Sequence, residues 1–154
     1  MSHNLQHFDI THIELSTLEK MFIINLIDEG TGRSVFNIPE GFVLKIARNK
    51  KGLIENENEN YIFHTIPPEY KDSLCPVIRY ETKYLIMPKA QPLLKTTVNF
   101  NKVIMSNTPV LNYLQKKYDL NELDLVYPNN WGIYMGRFVL FDYGSTYIKR
   151  LIQI

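Results

Sequence analysis

Two charged side chains of this chain stand where the neighbouring residues are apolar. Lys45 lies in the middle of "FVLKIA", and Asp142 directly follows "FVLF". A charge removed from water costs several kcal/mol unless an opposite charge meets it. Each residue therefore either reaches solvent or has an ionic partner: Lys45 could extend its amine from an edge strand, and Asp142 could cap a turn or bind a cation.

The next helix along the chain offers a partner for Lys45. Residues 54–66 have helical periodicity, with apolar residues at offsets three, four and seven from Glu59. Glu59 therefore falls on the inward stripe of this helix and is the best candidate to neutralise the lysine, unless it is an ordinary solvated acid. Glu55 shares the stripe at a greater distance, and Glu57 points elsewhere.

The polar residues follow one another in an order that resembles the motif series of protein kinases. "VLKIA" is similar to the V-A-I-K strand, "YLIMPKAQPL" to the hinge, "DLVYPN" to the D-L-x-x-x-N catalytic loop and "DYG" to D-F-G. The resemblance covers roughly residues 21–144. It implies an α+β fold in which a kinase-like N-lobe, an antiparallel sheet with one pairing helix, precedes a much reduced C-lobe that ends just after the DYG motif.

The resemblance implies a site for ATP and Mg²⁺. Lys45 would hold the α- and β-phosphates and would be positioned by Glu59. Asp142 would hold Mg²⁺ together with an asparagine. The spacing of five residues from the catalytic-loop aspartate favours Asn129, and Asn130, directly before a tryptophan, is its rival.

Three further assignments follow from the same resemblance. Asp124 would accept or orient the proton of an acceptor hydroxyl. Gly30 and Gly32 would correspond to the glycine loop over the phosphates, although a simple hairpin turn explains these glycines equally well. The backbone from Met87 to Lys89 would meet the edge of the adenine.

The hydrophobic pattern predicts the elements that position these residues. A buried strand is expected at 21–27, then strands at 35–38 and 42–47, the helix at 54–66, a hairpin of 77–80 and 84–87, a helix from Thr108 to about Asp119, and two strands around Met135-Gly136. The stretch 89–107 gives no clear prediction. We expect one kinase-like domain over residues 1–154, with a mobile leader at 1–18, an N-lobe-like part at 19–88 and a reduced C-lobe-like part at 89–154.

Composition limits the possible partners and the compartment. The chain has 154 residues, of which 45% are hydrophobic, as expected for a single globular domain. Its 17 basic and 16 acidic residues leave a net charge of +1, so no bulk field would attract nucleic acid or a membrane. The lone Cys75 is typical of a reducing compartment, and no apolar stretch is long enough to cross a membrane. These features predict a cytoplasmic protein.

Two functions are compatible with this sequence. The first is a minimal phosphotransferase that uses ATP and Mg²⁺. The alternative is an inactive, pseudokinase-like module that binds and regulates a partner protein, because only ten residues follow the DYG motif and cannot supply an activation segment or substrate-docking helices. Such reduced kinase-like chains are typical of phages and mobile elements, which predicts a host protein as partner and the host cytoplasm as location.

Overall fold

The computed structural model describes residues 9–93 and 99–146. It has an α+β fold built around a five-stranded antiparallel sheet with the strand order β1-β2-β3-β5-β4. The strands are β1 (Leu26–Glu29), β2 (Arg33–Ile38), β3 (Phe42–Ala47), β4 (Arg79–Glu81) and β5 (Tyr84–Pro88). The predicted α+β class is confirmed, and so are the third strand and the hairpin now labelled β4 and β5.

The predicted buried strand at 21–27 is wrong. Helix α1 (Leu15–Phe22) takes the first part of that apolar run, because Leu15, Leu18 and Phe22 line one helical face and pack against the sheet. A turn follows, and all four residues of β1 are exposed at the sheet edge. Residues 15–18, which the sequence analysis assigned to the leader, thus belong to a packed helix, whereas residues 1–8 lie outside the described part of the chain.

Helix α2 (Lys50–Thr65) crosses one face of the sheet and begins four residues earlier than predicted. Asn49 caps it by accepting a hydrogen bond from the backbone N–H of Gly52 at 3.0 Å. The helix ends before Pro67, as predicted, because two consecutive prolines cannot continue it. The short helix α3 (Pro68–Lys71) follows.

The two faces of the sheet contact different helices. Alternation along β3 directs Leu44 and Ile46 towards α1, and Val43 and Lys45 towards α2. Lys45 is therefore on the face where the predicted helix acid lies. The register of the sheet places Val35 directly opposite Lys45, so that the side chains of both residues project from this face.

The second half of the described chain contains three α-helices, a 3₁₀ helix and a second sheet. These elements are α4 (Phe100–Ser106), α5 (Thr108–Tyr118), α6 (Glu122–Leu125), a 3₁₀ helix (Pro128–Asn130), and strands β6 (Gln91–Pro92), β7 (Trp131–Tyr134) and β8 (Arg137–Leu140). The predicted helix at 108–119 and the hairpin around Met135-Gly136 are confirmed. Both turn residues have positive φ, 50° and 77°, as a tight hairpin requires.

One hydrophobic core joins the two halves. Leu85 and Met87 of the first sheet belong to the same cluster as Trp131 and Leu140 of the second. The backbone of Leu140 also pairs with the segment after α3, through a 2.9 Å hydrogen bond from the N–H of Cys75. The end of β8, and with it Asp142, is thereby held against the α2 face of the sheet. No helix among residues 9–93 and 99–146 is both long and apolar enough to cross a membrane.

Candidate functional site

Lys45 is buried and has an ionic partner. Its side chain is 5% exposed, and its Nζ donates to Oε1 of Glu59 at 3.1 Å and to the backbone carbonyl of Phe141 at 2.6 Å. The predicted ion pair is therefore present, and the alternative of an edge-strand lysine that reaches solvent is wrong. The bond to Phe141 also ties β3 to the residue before Asp142.

Arg33, which was not among the predicted site residues, occupies the centre of the site. This first residue of β2 is 6% exposed, and its guanidinium binds both carboxylate oxygens of Glu59, at 2.7 and 2.9 Å. It also donates to Oδ1 of Asn56 at 3.0 Å and to Oδ1 of Asp142 at 3.0 Å. We call Arg33, Lys45, Glu59 and Asp142 the charged cluster.

The sequence did contain a signal for Arg33. Residues two apart in a strand share a face of the sheet, and Val35 lies directly opposite Lys45 in the β2–β3 hairpin. This register therefore predicts that Arg33 and Lys45 project from the same face of the sheet. The short turn between the strands fixes the register, but the sequence analysis did not use it.

The carboxylate of Glu59 accepts four hydrogen bonds, two on each oxygen. Besides the two bonds from Arg33 and the one from Lys45, Oε2 accepts from the backbone N–H of Tyr143 at 3.0 Å. Burial alone would raise the pKa of this fully buried acid, but the positive charges of Arg33 and Lys45 outweigh it and lower the pKa to about 2. Glu59 is therefore a carboxylate at neutral pH.

This shift predicts how stability depends on pH. The pKa of Glu59 is lowered from 4.5 to about 2 on folding, so the unfolded chain binds a proton first as the pH falls through this window. We expect the free energy of unfolding of the wild type to exceed that of Glu59→Gln most at neutral pH, and the difference to shrink between pH 4.5 and 2. Urea unfolding of both chains at several pH values measures this.

Asp142 and Glu55 also titrate near Glu59 and must be separated from that comparison. Their pKa values are both raised, mainly by burial, so their contribution to stability rises as the pH falls. Because the charge of Glu59 is one cause of both raised pKa values, the two acids titrate differently in Glu59→Gln, and their effect opposes the expected change. The comparison is therefore repeated in a Glu55→Gln/Asp142→Asn background, where neither acid titrates. A difference that stays constant there from neutral pH to about pH 2 would contradict the low pKa of Glu59.

Asp142 lies half-buried at the outer side of the charged cluster. Its side chain is 40% exposed, and Arg33 is its ionic partner. Burial raises the pKa of Asp142, and the negative charges of Glu59 and Asp124 raise it further, while Arg33 and Lys45 lower it. The charge of Asp124, the candidate catalytic acid, thus acts on Asp142.

The choice of Glu59 over the other acids of α2 agrees with the structure. Glu55 is buried one turn earlier, and its Oε2 accepts from Oγ of Ser145 at 3.1 Å; no hydrogen bond joins it to Lys45 among the described residues. Glu57 is exposed on the outer side of the helix. The helical periodicity thus identified the correct acid.

The two candidate asparagines have different surroundings. The side chain of Asn130 donates to the backbone carbonyl of Asp124 at 2.9 Å, and the backbone carbonyl of Asn130 accepts from the N–H of Phe141 at 2.9 Å. Asn129 is exposed and donates to Oη of Tyr127 at 2.7 Å. Asn130 therefore joins the segment of Asp124 to the strand end, and Asn129 does not. Which of the two would bind a metal ion stays a prediction.

The candidate glycine loop is packed against α2. A Cβ on Gly32 would lie 2.4 Å from Oε1 of Glu55 and 2.8 Å from the backbone nitrogen of Gly52. Gly30 closes the β1–β2 turn by donating to the carbonyl of Arg33 at 2.9 Å. The glycines serve a tight hairpin and a close approach to a helix, which is the alternative that the sequence analysis left open.

Backbone groups at the candidate adenine site already have partners within the protein. Met87 is fully buried in β5, and the N–H of the exposed Lys89 donates to the carbonyl of Gly41 at 2.8 Å. The carbonyl of Pro88 accepts from Sγ of Cys75 at 3.3 Å. An adenine ring would have to compete with these bonds.

A magnesium ion does not fit the charged cluster as it stands. Carboxylate and amide oxygens such as those of Asp142 and Asn130 suit Mg²⁺, but the guanidinium of Arg33 already neutralises Asp142. At an effective dielectric constant of about 20, a divalent ion roughly 5 Å from the guanidinium would be repelled by roughly 7 kcal/mol. No group of three or more His, Cys, Asp or Glu residues within 9–93 and 99–146 could hold a metal ion.

Function has to be inferred from the chemistry of this cluster itself. No protein-family model matches this chain, and no curated protein matches it either.

Two surface cavities, of about 530 and 450 Å³, lie away from the charged cluster. The first is lined by residues of α2 and Tyr80, and the second by Tyr70 and residues of α5. Neither cavity is lined by a residue of the charged cluster.

Proposed function

We propose that this chain is a kinase-like module that does not transfer phosphate and acts by binding a partner protein. The observation that carries the proposal is the ion pair between Arg33 and Asp142, with 3.0 Å between Nη2 and Oδ1. The aspartate that would hold a metal ion in a kinase has a protein cation as its partner. Phosphoryl transfer depends on a positioned metal ion and on positioned phosphates. The ion pair between Arg33 and Asp142 occupies the carboxylate that would bind the metal ion.

The order of the elements supports the kinase-like part of the proposal. A helix between the third and fourth strands supplies the glutamate that pairs with a strand lysine, and a later hairpin delivers an Asp-Tyr-Gly segment to the same cluster. The tyrosine of this segment, Tyr143, is buried and donates to the carbonyl of Cys75 at 2.7 Å. Its neighbour Asp142 is thus held in place by the core.

An exposed apolar surface supports the partner-binding part. Met21, Ile23, Ile24, Leu26 and Ile27 are each 45–88% exposed, and they lie at and just before the edge strand β1. Apolar surface of this kind, beside an open sheet edge, is typical of interaction sites. A partner protein that covered this surface would remove it from water.

Incubation of the purified chain with ATP labelled at the γ-phosphate tests the proposal. With Mg²⁺ or Mn²⁺ present, we expect neither self-labelling nor labelling of generic protein acceptors above the level of Asp142→Asn. We also expect ATP with Mg²⁺ to leave the melting temperature unchanged. Transfer that is lost in Asp142→Asn would overturn the proposal.

A Mg²⁺- and ATP-dependent phosphotransferase is the second candidate, favoured by the hydrogen bonds through which Asn130 joins Asp124 to Phe141, the residue before Asp142. In that case Lys45 would bind the phosphates, Asp142 and Asn130 would bind Mg²⁺, and Asp124 would orient the acceptor hydroxyl. Arg33 would first have to leave Asp142. A rise in melting temperature that needs both ATP and Mg²⁺, and is lost in Asp142→Asn, would select this candidate.

A further inference from the structure

We propose that the guanidinium of Arg33 is the permanent cation of the charged cluster, standing where a divalent metal ion would otherwise bridge Glu59 and Asp142. The inference rests on the proposed function and extends it by naming the residue that keeps the site free of metal. It also predicts a divalent-cation site that becomes available once Arg33 is removed.

One nitrogen of Arg33, Nη2, contacts the carboxylates of both Glu59 and Asp142. Nη2 contacts Oε2 of Glu59 at 2.9 Å and Oδ1 of Asp142 at 3.0 Å. One positively charged atom thus bridges two carboxylates from different parts of the fold. Nη1 bridges the other oxygen of Glu59 and the amide oxygen of Asn56, at 2.7 and 3.0 Å.

The oxygens around the guanidinium are of the kind that hard cations bind. They comprise three carboxylate oxygens and one side-chain amide oxygen, and Mg²⁺ and Ca²⁺ prefer such oxygen ligands. They lie 2.7–3.0 Å from nitrogen, a hydrogen-bond distance, whereas a metal ion needs about 2.0–2.6 Å. Two of the oxygens lie around Nη1 and two around Nη2, so the carboxylates would have to move inward around a single ion.

Charge balance explains why Arg33 excludes a metal ion while it is in place. Through direct ion pairs, two cations, Arg33 and Lys45, meet two carboxylates, Glu59 and Asp142. Glu55 and Asp124 act on this cluster by charge, without a salt bridge to it among the described residues. A metal ion placed between the two carboxylates would meet both cations at close range. A guanidinium keeps its proton at any ordinary pH. Because Arg33 is part of the protein chain, its positive charge cannot dissociate from the site as a bound metal ion can.

Removal of the guanidinium should reverse this preference. In Arg33→Ala, only Lys45 would remain to neutralise Glu59 and Asp142. We expect the melting temperature of this variant to fall in potassium buffer. We expect 10 mM Mg²⁺, Mn²⁺ or Ca²⁺ to raise it by about 3–6 °C if the dissociation constant is near 1 mM. The double variant Arg33→Ala/Asp142→Asn should lose this response, because one of the bridging carboxylates is gone.

Two control variants test whether the response needs the loss of positive charge at position 33 in particular. Arg33→Lys keeps a cation at the position and should show no response to divalent cations. Arg48→Ala removes an arginine from the exposed side of the same hairpin, where it pairs with Glu29 at 3.0 Å, and should not respond either. Every titration is run without nucleotide and against KCl of equal ionic strength.

The wild type gives a readout that does not depend on any variant. Mn²⁺ is paramagnetic and broadens NMR signals close to its binding site, so we expect no selective broadening of the Tyr143 and Gly144 amides at millimolar Mn²⁺. Selective, saturable broadening there would overturn the inference. It would leave the proposed function standing as long as no phosphate transfer occurs.

The response of Arg33→Ala is decisive whether or not this variant folds alone. If it is unfolded in potassium buffer, recovery of its helical circular dichroism by any of the three divalent cations supports the inference, because metal binding is then coupled to folding. A folded variant that does not respond to any of them, or an unfolded one that none of them rescues, overturns it.

Discussion

Glu59→Gln is expected to lower the free energy of unfolding by about 3–5 kcal/mol, the range found when one partner of a buried ion pair is removed. The substitution keeps the size of the side chain but removes the charge that neutralises Arg33 and Lys45, both at most 6% exposed. It also places an amide NH₂ where two cationic donors now find an acceptor. Urea unfolding at neutral pH, followed by circular dichroism, measures the effect.

Glu57→Gln is the matched control, since Glu57 is exposed on the same helix. Its effect should stay within about 0.5 kcal/mol. The double variant Glu59→Gln/Lys45→Met removes one charge of each sign, and should therefore be less destabilised than the two single variants together. An effect of Glu59→Gln below about 1 kcal/mol would show that the charged cluster is not a buried ion-pair network.

Local charge and periodicity were sufficient to predict the part of the site formed by neighbouring elements. Lys45 follows from a charge within an apolar strand, and Glu59 from the inward stripe of the next helix; both assignments need only short-range patterns. The hairpin of β7 and β8 followed from its turn and delivers Asp142. These features depend on residues close in sequence.

The role of Arg33 could not be found in this way. The register of the β2–β3 hairpin places Arg33 on the face of Lys45, but its partners come from parts of the chain that are distant in sequence. Its partners Asn56 and Glu59 lie 23 and 26 residues away, and Asp142 lies 109 residues away. The run 21–27 failed for a related reason. A short apolar run does not distinguish a helix end from a strand, and packing of α1 on the sheet decided between them.

The asparagines illustrate a limit of motif spacing. Counting five residues from Asp124 selects Asn129, yet the 3₁₀ helix directs the side chain of Asn130 back to the Asp124 carbonyl. One residue of difference in the loop changes which amide lies next to the strand end. Spacing alone therefore cannot decide between adjacent residues in an irregular segment.

Gly52→Ala is expected to destabilise the fold by about 2–3 kcal/mol, even though alanine is the better helix former by about 1 kcal/mol. A Cβ on Gly52 would lie 2.0 Å from the carbonyl oxygen of Gly32 and 3.0 Å from Cα of Ala47. Both are backbone atoms, which cannot rotate away as a side chain can. The turn that leads into Arg33 would have to move off α2.

Gly30→Ala is the matched control in the same turn. A Cβ there would meet only the carbonyl oxygen of Arg33, at 3.9 Å, an ordinary contact. Its effect should be near zero, or slightly stabilising because alanine restricts the unfolded chain. If both variants were equally destabilised, the contact between turn and helix could not be the cause. If only Gly52→Ala is destabilised, close packing of this turn on α2 holds Arg33 against Glu59. The turn is then a packed part of the fold, unlike a flexible glycine loop that closes over phosphates.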